Sequence, residues 1–290
     1  TYLSAVESQA INVNCTFREG FEGRYYCLLT GIEVLDPTQG VIFGGDHVGD
    51  RTDIDVNVVE IRNSNTPFTI PEIFTTFPNI FSLVIQNSRL QSLVIPETVQ
   101  LQNLDVFNNN ISRIDAGALS GQRELVGFCA MQNQIQEIDE DAFVGLENLR
   151  RILLINNRIT QLAPKTLHPL PNLELFDIER NLLTRIEEEV FAGNPLLETL
   201  YLEFNEINEI SPRFAANLLN LNFINLRGNQ CINRAFDIDD DFGRAFLNNV
   251  LTPCFNNFNG EVPEIRRITL EFQGPLRLFD EFGNLIARVD

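Results

Sequence analysis

Apolar residues recur along the chain in an eleven-slot pattern whose copies mostly begin 24 residues apart. Apolar residues fill slots one, four, six and eleven, and asparagine fills slot nine; Leu149–Ile159, with Asn157 in slot nine, fits every fixed slot. Five further segments fit in the same way: Leu101–Ile111, Leu125–Ile135, Leu173–Leu183, Leu197–Ile207 and Leu221–Cys231. Two weaker copies precede them, Ile80–Leu90 and one opening near Val56, which gives about eight units.

Each slot has a physical reason. Slots four and six lie on one face of a short strand, whose side chains alternate with a period of two. The slot-nine amide can bond backbone groups of neighbouring units where the chain turns. No unit buries its apolar edge alone, so the units must stack. We therefore predict an α/β solenoid with a curved parallel β-sheet on the concave side and short helices and turns on the convex side.

The eleven-slot pattern resembles the 24-residue form of the extracellular leucine-rich-repeat family, over roughly Val56 to Cys254. Near the N-terminus, Cys15–Leu28, Gly44–His47 and Asn63–Pro67 resemble the front end of secreted insect leucine-rich-repeat proteins. The resemblance implies a leucine-rich-repeat solenoid. It also implies a link to extracellular innate immunity, where some of these insect proteins hold and present effector proteins.

A solenoid exposes apolar edges at its two ends and needs a cap on each. We expect four segments: an N-terminal cap at residues 1–55, the repeats at 56–230, a C-terminal cap at 231–260 and a small β appendage at 261–290. The second cap contains a predicted helix over Asp240–Leu251, which starts with acidic residues. In the appendage, Arg267–Phe272 alternates, and Leu276–Phe279 and Leu285–Val289 flank a turn.

The five cysteines are placed unevenly along the chain. Cys15 and Cys27 lie near the front, and Cys231 and Cys254 near the back. We expect one disulfide in each cap, and hence an oxidising compartment. Cys129 stands alone between them and is expected to be a free thiol; a bridge to another molecule is the alternative.

Two glycosylation sequons, at Asn14 and Asn110, agree with secretion. A glycan on Asn110, next to the slot-nine residue Asn109, would leave the concave face open. The chain begins without Met and without a signal-peptide pattern, so we expect a mature, extracellular chain whose signal peptide has been removed. Its apolar runs are too short to span a bilayer.

The charge balance narrows the choice of partners. The chain has 40 Asp and Glu residues against 21 Lys and Arg, a net charge of −19. Such a surface repels phosphate backbones and anionic lipid, so nucleic acid and membrane insertion are not expected. Protein partners are expected instead, and basic proteins are among them.

Residues typical of a catalytic or metal site are scarce. His47 and His168 are the only histidines, and neither has a Cys or a second His at ligand spacing, so we expect an exposed structural role for both. Asp237–Gly243 resembles a calcium loop, but its glycine is one place late and Asn248 stands where a glutamate is needed. We predict no metal, no cofactor and no enzymatic activity.

Slots two, three, five, seven and eight are expected to project from the concave sheet and are not needed for the fold. They bring four apolar residues, Phe107, Met131, Leu153 and Ile155, into one cluster around Cys129. An exposed cluster of this kind usually marks an interface. The alternatives are that the C-terminal tail or a loop covers it, or that the exposure is scattered and without consequence. The predicted binding residues are Val84, Phe107, Met131, Leu153, Ile155, Asp177, Glu179, Arg180, Tyr201, Glu203 and Phe204.

Three functions remain open from the sequence. The first is a secreted, non-catalytic recognition protein that binds a protein partner on its concave face. The second is a self-associating structural or adhesive matrix protein, in which the same face forms a homodimer. The third is the ectodomain of a receptor. Fold alone does not identify the partner.

Overall fold

The computed structural model describes residues 10–238 and 247–258, and the backbone of two strands at 276–279 and 285–289. Contacts divide the chain into two units, residues 1–259 and residues 260–290. The first unit is a β-solenoid, which confirms the predicted fold class: short strands of successive units form one parallel sheet, and turns with few helices return the chain.

The main sheet contains eleven of the described strands. They are β2 (Thr16–Glu19), β3 (Tyr25–Thr30), β5 (Val58–Arg62), β6 (Ser82–Gln86), β7 (Asn103–Asp105), β9 (Gly127–Cys129), β11 (Arg151–Leu153), β12 (Leu175–Asp177), β14 (Thr199–Tyr201), β16 (Phe223–Asn225) and β17 (Ala235–Asp237). The strands from β3 to β16 are parallel, and β2 and β17 run antiparallel to their neighbours at the two ends. In the regular repeats the strand covers slots three to five.

The core lies behind this sheet and follows the apolar slots. Slot-four residues such as Ile152 and slot-six residues such as Leu154 have no exposed surface. Aromatic pairs fill the space between strand and return segment: Phe128 packs edge-on against Phe143, with ring centroids 6.3 Å apart. Phe176 and Phe191 repeat this arrangement two units later. The apolar pattern therefore produces one continuous core rather than a separate core in each unit.

The slot-nine asparagines form a ladder that joins successive units. Asn157 is typical: its Nδ2 donates to the carbonyl of Leu154 in its own unit and to that of Ala130 in the preceding unit, both at 2.9 Å. Its Oδ1 accepts the N–H of Ile135 at 3.0 Å. Asparagine fits because it both donates and accepts at a turn whose backbone groups are buried. Ser88 occupies the same slot in a weaker copy and makes fewer bonds: its hydroxyl donates to the carbonyl of Gln86 at 2.8 Å and accepts the N–H of Ser64 at 3.4 Å.

The return segments are mostly turns. A regular helix, α1, spans Glu72–Thr76, and a short 3-10 turn spans Glu189–Phe191. Two-residue strands outside the main sheet pair in parallel between adjacent units: β8 (Arg113–Ile114) with β10 (Glu137–Ile138), and β13 (Arg185–Ile186) with β15 (Glu209–Ile210). The sequence predicted helices and turns on the convex side and did not predict these short strand pairs. They form because the units stack in constant register.

Both expected disulfides are present. Cys15–Cys27 joins the start of β2 to β3, and Cys231–Cys254 joins the last repeat to α2 (Thr252–Asn257). Near the first disulfide, β1 (Ile11–Asn14) pairs in parallel with β4 (Val41–Gly44). Leu247–Val250 is also helical, and the start of the predicted capping helix, Asp240–Phe246, lies outside the described residues.

His47 is less exposed than the sequence suggested. Its ring stacks on Phe17 at 3.8 Å between centroids, and its Nδ1 lies 3.1 Å from the hydroxyl of Tyr25. Its Nε2 lies 3.2 Å from a carboxylate oxygen of Asp53. The expected exposed role was therefore wrong for this residue, because the loop after β4 folds back over the aromatic side chains of the first strands.

In the second unit, β18 (Leu276–Phe279) pairs antiparallel with β19 (Leu285–Val289). The predicted strand at Arg267–Phe272 lies outside the described residues, as does most of the calcium-like segment Asp237–Gly243.

Candidate functional site

The concave face is built from the outward-pointing slots of successive units. Backbone hydrogen bonds from each slot-eight N–H to the slot-seven carbonyl of the next unit hold the slot-seven residues side by side. Asn108 N–H reaches the Met131 carbonyl at 2.9 Å, and Gln132 N–H reaches that of Ile155 at 2.8 Å. The slot-seven row is therefore continuous from Phe107 to Arg227, with neighbours about 4.8 Å apart.

The apolar patch is the part of this face formed by slots five and seven of four adjacent strands. Its residues are partly exposed and are Val84, Phe107, Met131, Leu153 and Ile155. Leu153 pairs directly with Cys129 across the β9–β11 ladder, which places the free thiol inside the patch. The structure thus brings together the apolar residues that the slot pattern selected.

Within the patch, Cys129 also adjoins a small polar network. Its ladder partner on the other side is Asp105, whose carboxylate accepts the Gln86 amide at 2.6 Å and the Phe107 N–H at 2.9 Å. Burial raises the pKa of the Cys129 thiol to about 12, and the neighbouring Asp105 adds to the shift. The thiol is therefore protonated at physiological pH and is a poor nucleophile.

An acidic cluster, defined here as Asp177, Glu179 and Glu203, adjoins the patch. Asp177 and Glu203 are each only 8% exposed. Burial, together with the nearby carboxylates of Glu203 and Glu179, raises the pKa of Asp177 to about 6, against the lowering effect of a hydrogen bond from the Glu179 N–H. Burial also raises the pKa of Glu203. Like charges held together out of water are costly to the folded chain.

The partners of these carboxylates are unequal. Glu179 forms an ion pair with Arg180 at 2.8 Å. One oxygen of Glu203, Oε1, accepts the amide of Asn225 at 2.7 Å, whereas Oε2 is buried and has no hydrogen-bond partner. Among the ion pairs of the described residues, none includes Asp177 or Glu203.

Slot eight differs from the expectation that it is a strand position. From Asn87 to Phe204, its residues have φ near +55°, for example 54° at Arg180 and 52° at Phe204. They therefore turn the chain out of the sheet and project at its rim. Arg180 lies over the Phe204 ring, 4.5 Å from its centroid, so these two predicted binding residues form one stacked pair.

Tyr201 completes the predicted set, and sequence reasoning overlooked its neighbours. Tyr201 pairs directly with Asp177 across the β12–β14 ladder, and its ring lies 5.4 Å from that of Phe223. Phe223 occupies slot three and Asn225 slot five of the last regular unit. Reading slot three as systematically as slots five and seven would have found Phe223.

Both sequon asparagines, Asn14 and Asn110, are exposed. No group of three or more His, Cys, Asp or Glu side chains suited to a metal occurs in the described part of the chain. Within those same residues, no helix is both long and apolar enough to cross a membrane.

Comparisons with known proteins agree with this architecture. A family model described as leucine-rich repeat matches residues 131–183 and 171–230. No curated protein matches the chain. A solved structure of a TLR13–ssRNA13 complex aligns with a TM-score of 0.58 and 22% identity over 61% of this chain. A leucine-rich-repeat protein of Leptospira interrogans, LIC12759, aligns with a TM-score of 0.53 and 23% identity, also over 61%.

The alignments span only 26% of the TLR13 chain and 44% of the Leptospira chain. At these identities the likeness is one of fold. The family match supports a leucine-rich-repeat assignment for residues 131–230, and the solved structures share the fold.

Proposed function

We propose that this leucine-rich-repeat solenoid is a secreted, non-catalytic recognition protein that binds a protein partner on its concave face. The observation that carries the proposal is the apolar patch: five partly exposed apolar side chains on a sheet face where the fold needs none. Apolar and Met-containing surfaces with few charges are typical of interface cores. Leucine-rich-repeat proteins are generally binding scaffolds without catalytic activity.

Secretion is supported by two disulfides and two exposed sequons. An extracellular immune role is supported by the resemblance of the front end to secreted insect leucine-rich-repeat proteins. The RNA named with TLR13 belongs to that protein; a net charge of −19 disfavours RNA as a partner here.

Self-association through the patch is the second candidate, because an apolar patch on a repeated sheet face is also suited to a symmetric dimer. Molar mass in solution, measured by light scattering, separates the two. The wild type is compared with a Phe107→Glu, Ile155→Glu double variant. A matched control, Gln136→Glu with Gln161→Glu, adds the same charge at exposed convex positions.

If the wild type is a monomer, the patch is free and captures a partner. Immobilised wild type and the control variant should then retain the same protein from the extracellular fluid of the organism that makes this chain. The Phe107→Glu, Ile155→Glu variant should not retain it. A wild-type dimer that only the patch variant dissociates would replace partner capture by self-association. Equal retention by all three proteins would refute a role for the patch.

A further inference from the structure

The acidic cluster has a feature that the fold does not explain. Glu203 is only 8% exposed, yet its Oε2 has no hydrogen-bond donor. Asp177, equally buried, lies one strand away, across from Tyr201. A buried carboxylate without a donor costs the folded state on the order of 1–3 kcal/mol, and more when charged. Such an arrangement persists when a ligand supplies the missing charge and donors.

We propose that Asp177 and Glu203 together hold the cationic head of one arginine or lysine side chain of the protein bound on the concave face. This cation site rests on the proposed function, because the partner's apolar residues on the neighbouring patch would bring the cation into place. A guanidinium offers several N–H donors in one plane, which suits two carboxylates on adjacent strands.

Of the cations that the structure describes beside this pair, neither Arg180 nor Arg227 forms an ion pair with Asp177 or Glu203. Arg180 is engaged by Glu179 and by the Phe204 ring. Arg227 lies beside Glu203 in the slot-seven row and its charge lowers the pKa of Glu203, but Arg227 is exposed, and no ion pair joins the two side chains in the described structure. A divalent metal is disfavoured, since no three-ligand group forms in the described part of the chain. An external organic cation is the remaining class of ligand.

The surroundings add recognition beyond charge. Tyr201 is the ladder partner of Asp177 and precedes Glu203 by two residues, so its aromatic ring adjoins both carboxylates, with Phe223 beside it. A cation between carboxylates and over a ring gains from both interactions. The aromatic neighbour and the planar donors favour arginine over lysine.

The geometry also sets a spacing in the partner. From the Met131 strand to the gap between β12 and β14 is two and a half strand spacings, roughly 12 Å. An extended chain covers that distance in about three to four residues. The partner segment should carry apolar side chains followed, about four residues away, by the basic one.

The test uses short synthetic peptides with two leucines and, four residues further on, a variable position occupied by Arg, Lys, Gln or Glu. Their affinities are measured by fluorescence anisotropy at neutral pH for the full chain and for Asp177→Asn with Glu203→Gln. Glu198→Gln, at an exposed position just before β14 in the same repeat as Tyr201, is the control for loss of a surface charge.

We expect the Arg and Lys peptides to bind the wild type and Glu198→Gln at least about tenfold more tightly than the Gln peptide. The advantage should vanish in the Asp177→Asn, Glu203→Gln variant. A basic peptide that binds no more tightly than the Gln peptide overturns the cation site, as does an advantage that survives in this variant.

Different results would refute the proposed cation site and the proposed role of the apolar patch. Phe107→Glu should lower the affinities of the Gln and Arg peptides alike. If binding of the Gln peptide depends on Phe107, the role of the patch is supported even when the cation site is refuted. A second measurement needs no patch: ethylguanidinium, but not ethylurea, should shift the carboxyl-carbon NMR signal of Asp177. If ethylguanidinium leaves that signal unchanged, the cation site is refuted, whether or not any peptide binds.

Discussion

Replacing Asn157 by alanine tests the asparagine ladder at its centre. The substitution removes one side chain that bridges two units and leaves the apolar slots unchanged. Three backbone groups lose a bond of 3.0 Å or shorter: the carbonyls of Ala130 and Leu154, and the N–H of Ile135. A long contact of 3.5 Å to the Ile155 carbonyl is also lost.

The three losses are not equal. The Ala130 carbonyl still accepts the amide of Asn133, and the Leu154 carbonyl still accepts that of Asn181, because each carbonyl is shared by consecutive asparagines. Each lost bond then costs about 0.5–1.5 kcal/mol. The buried Ile135 N–H loses its partner altogether, for about 1–3 kcal/mol. We expect Asn157→Ala to lower the free energy of unfolding by about 3 kcal/mol.

The assay is urea unfolding monitored by circular dichroism. The free energies of unfolding of wild type and variant are compared with the same slope of free energy against urea concentration. Asn229→Ala, at the partly buried end of the ladder, should cost clearly less. Gln161→Ala, at an exposed position, should stay within about 0.5 kcal/mol of wild type. If Asn157→Ala costs no more than Gln161→Ala, the ladder does not hold the units together and the reasoning is wrong.

Three further predictions concern the site and the caps. Because Asp177 has a folded pKa of about 6 against an ordinary 3.8, it favours the fold below about pH 4 and loses that contribution as the pH rises past 6. Asp177→Asn should therefore be more stable at neutral pH by about 1–2 kcal/mol after screening, and pH-dependent melting checks this. Iodoacetamide should alkylate Cys129 at least about 100-fold more slowly than a free thiol, as followed by mass spectrometry. Cys254→Ser, which opens the bond to Cys231, should cost about 2–4 kcal/mol in urea unfolding.

The slot pattern was sufficient to predict the solenoid, because apolar slots four and six and the slot-nine asparagine act through the backbone in every unit. It could not predict the left-handed turn at slot eight, where the side chain varies from Asn156 to Phe204 and only the stacked neighbours fix φ. The parallel pairs of short strands on the convex side were not predicted, for a related reason. They depend on contact between units, which no single repeat contains.

The concave residues could be selected because slots five and seven are free of the core. The environment of each of these residues could not be predicted from the sequence. Asp177 and Glu203 look like ordinary exposed acids in the sequence, and their burial appears only once neighbouring units stack, where Tyr201 pairs with Asp177 and Asn225 donates to Glu203. The binding roles assigned to this face remain predictions. Charge and slot position alone do not distinguish a solvated carboxylate from one that lacks a donor.

The reversed strands at the two ends of the sheet affect how copies of the chain meet. β2 and β17 run against the other strands, so neither edge offers the parallel ladder that a next unit would extend. A second molecule placed end to end would meet an edge strand that belongs to no repeat and carries no slot-nine asparagine, so its asparagine ladder would find no continuation. Filament growth, the open-ended form of heterologous assembly, is thereby hindered at both ends, and the solenoid keeps a finite length at high concentration.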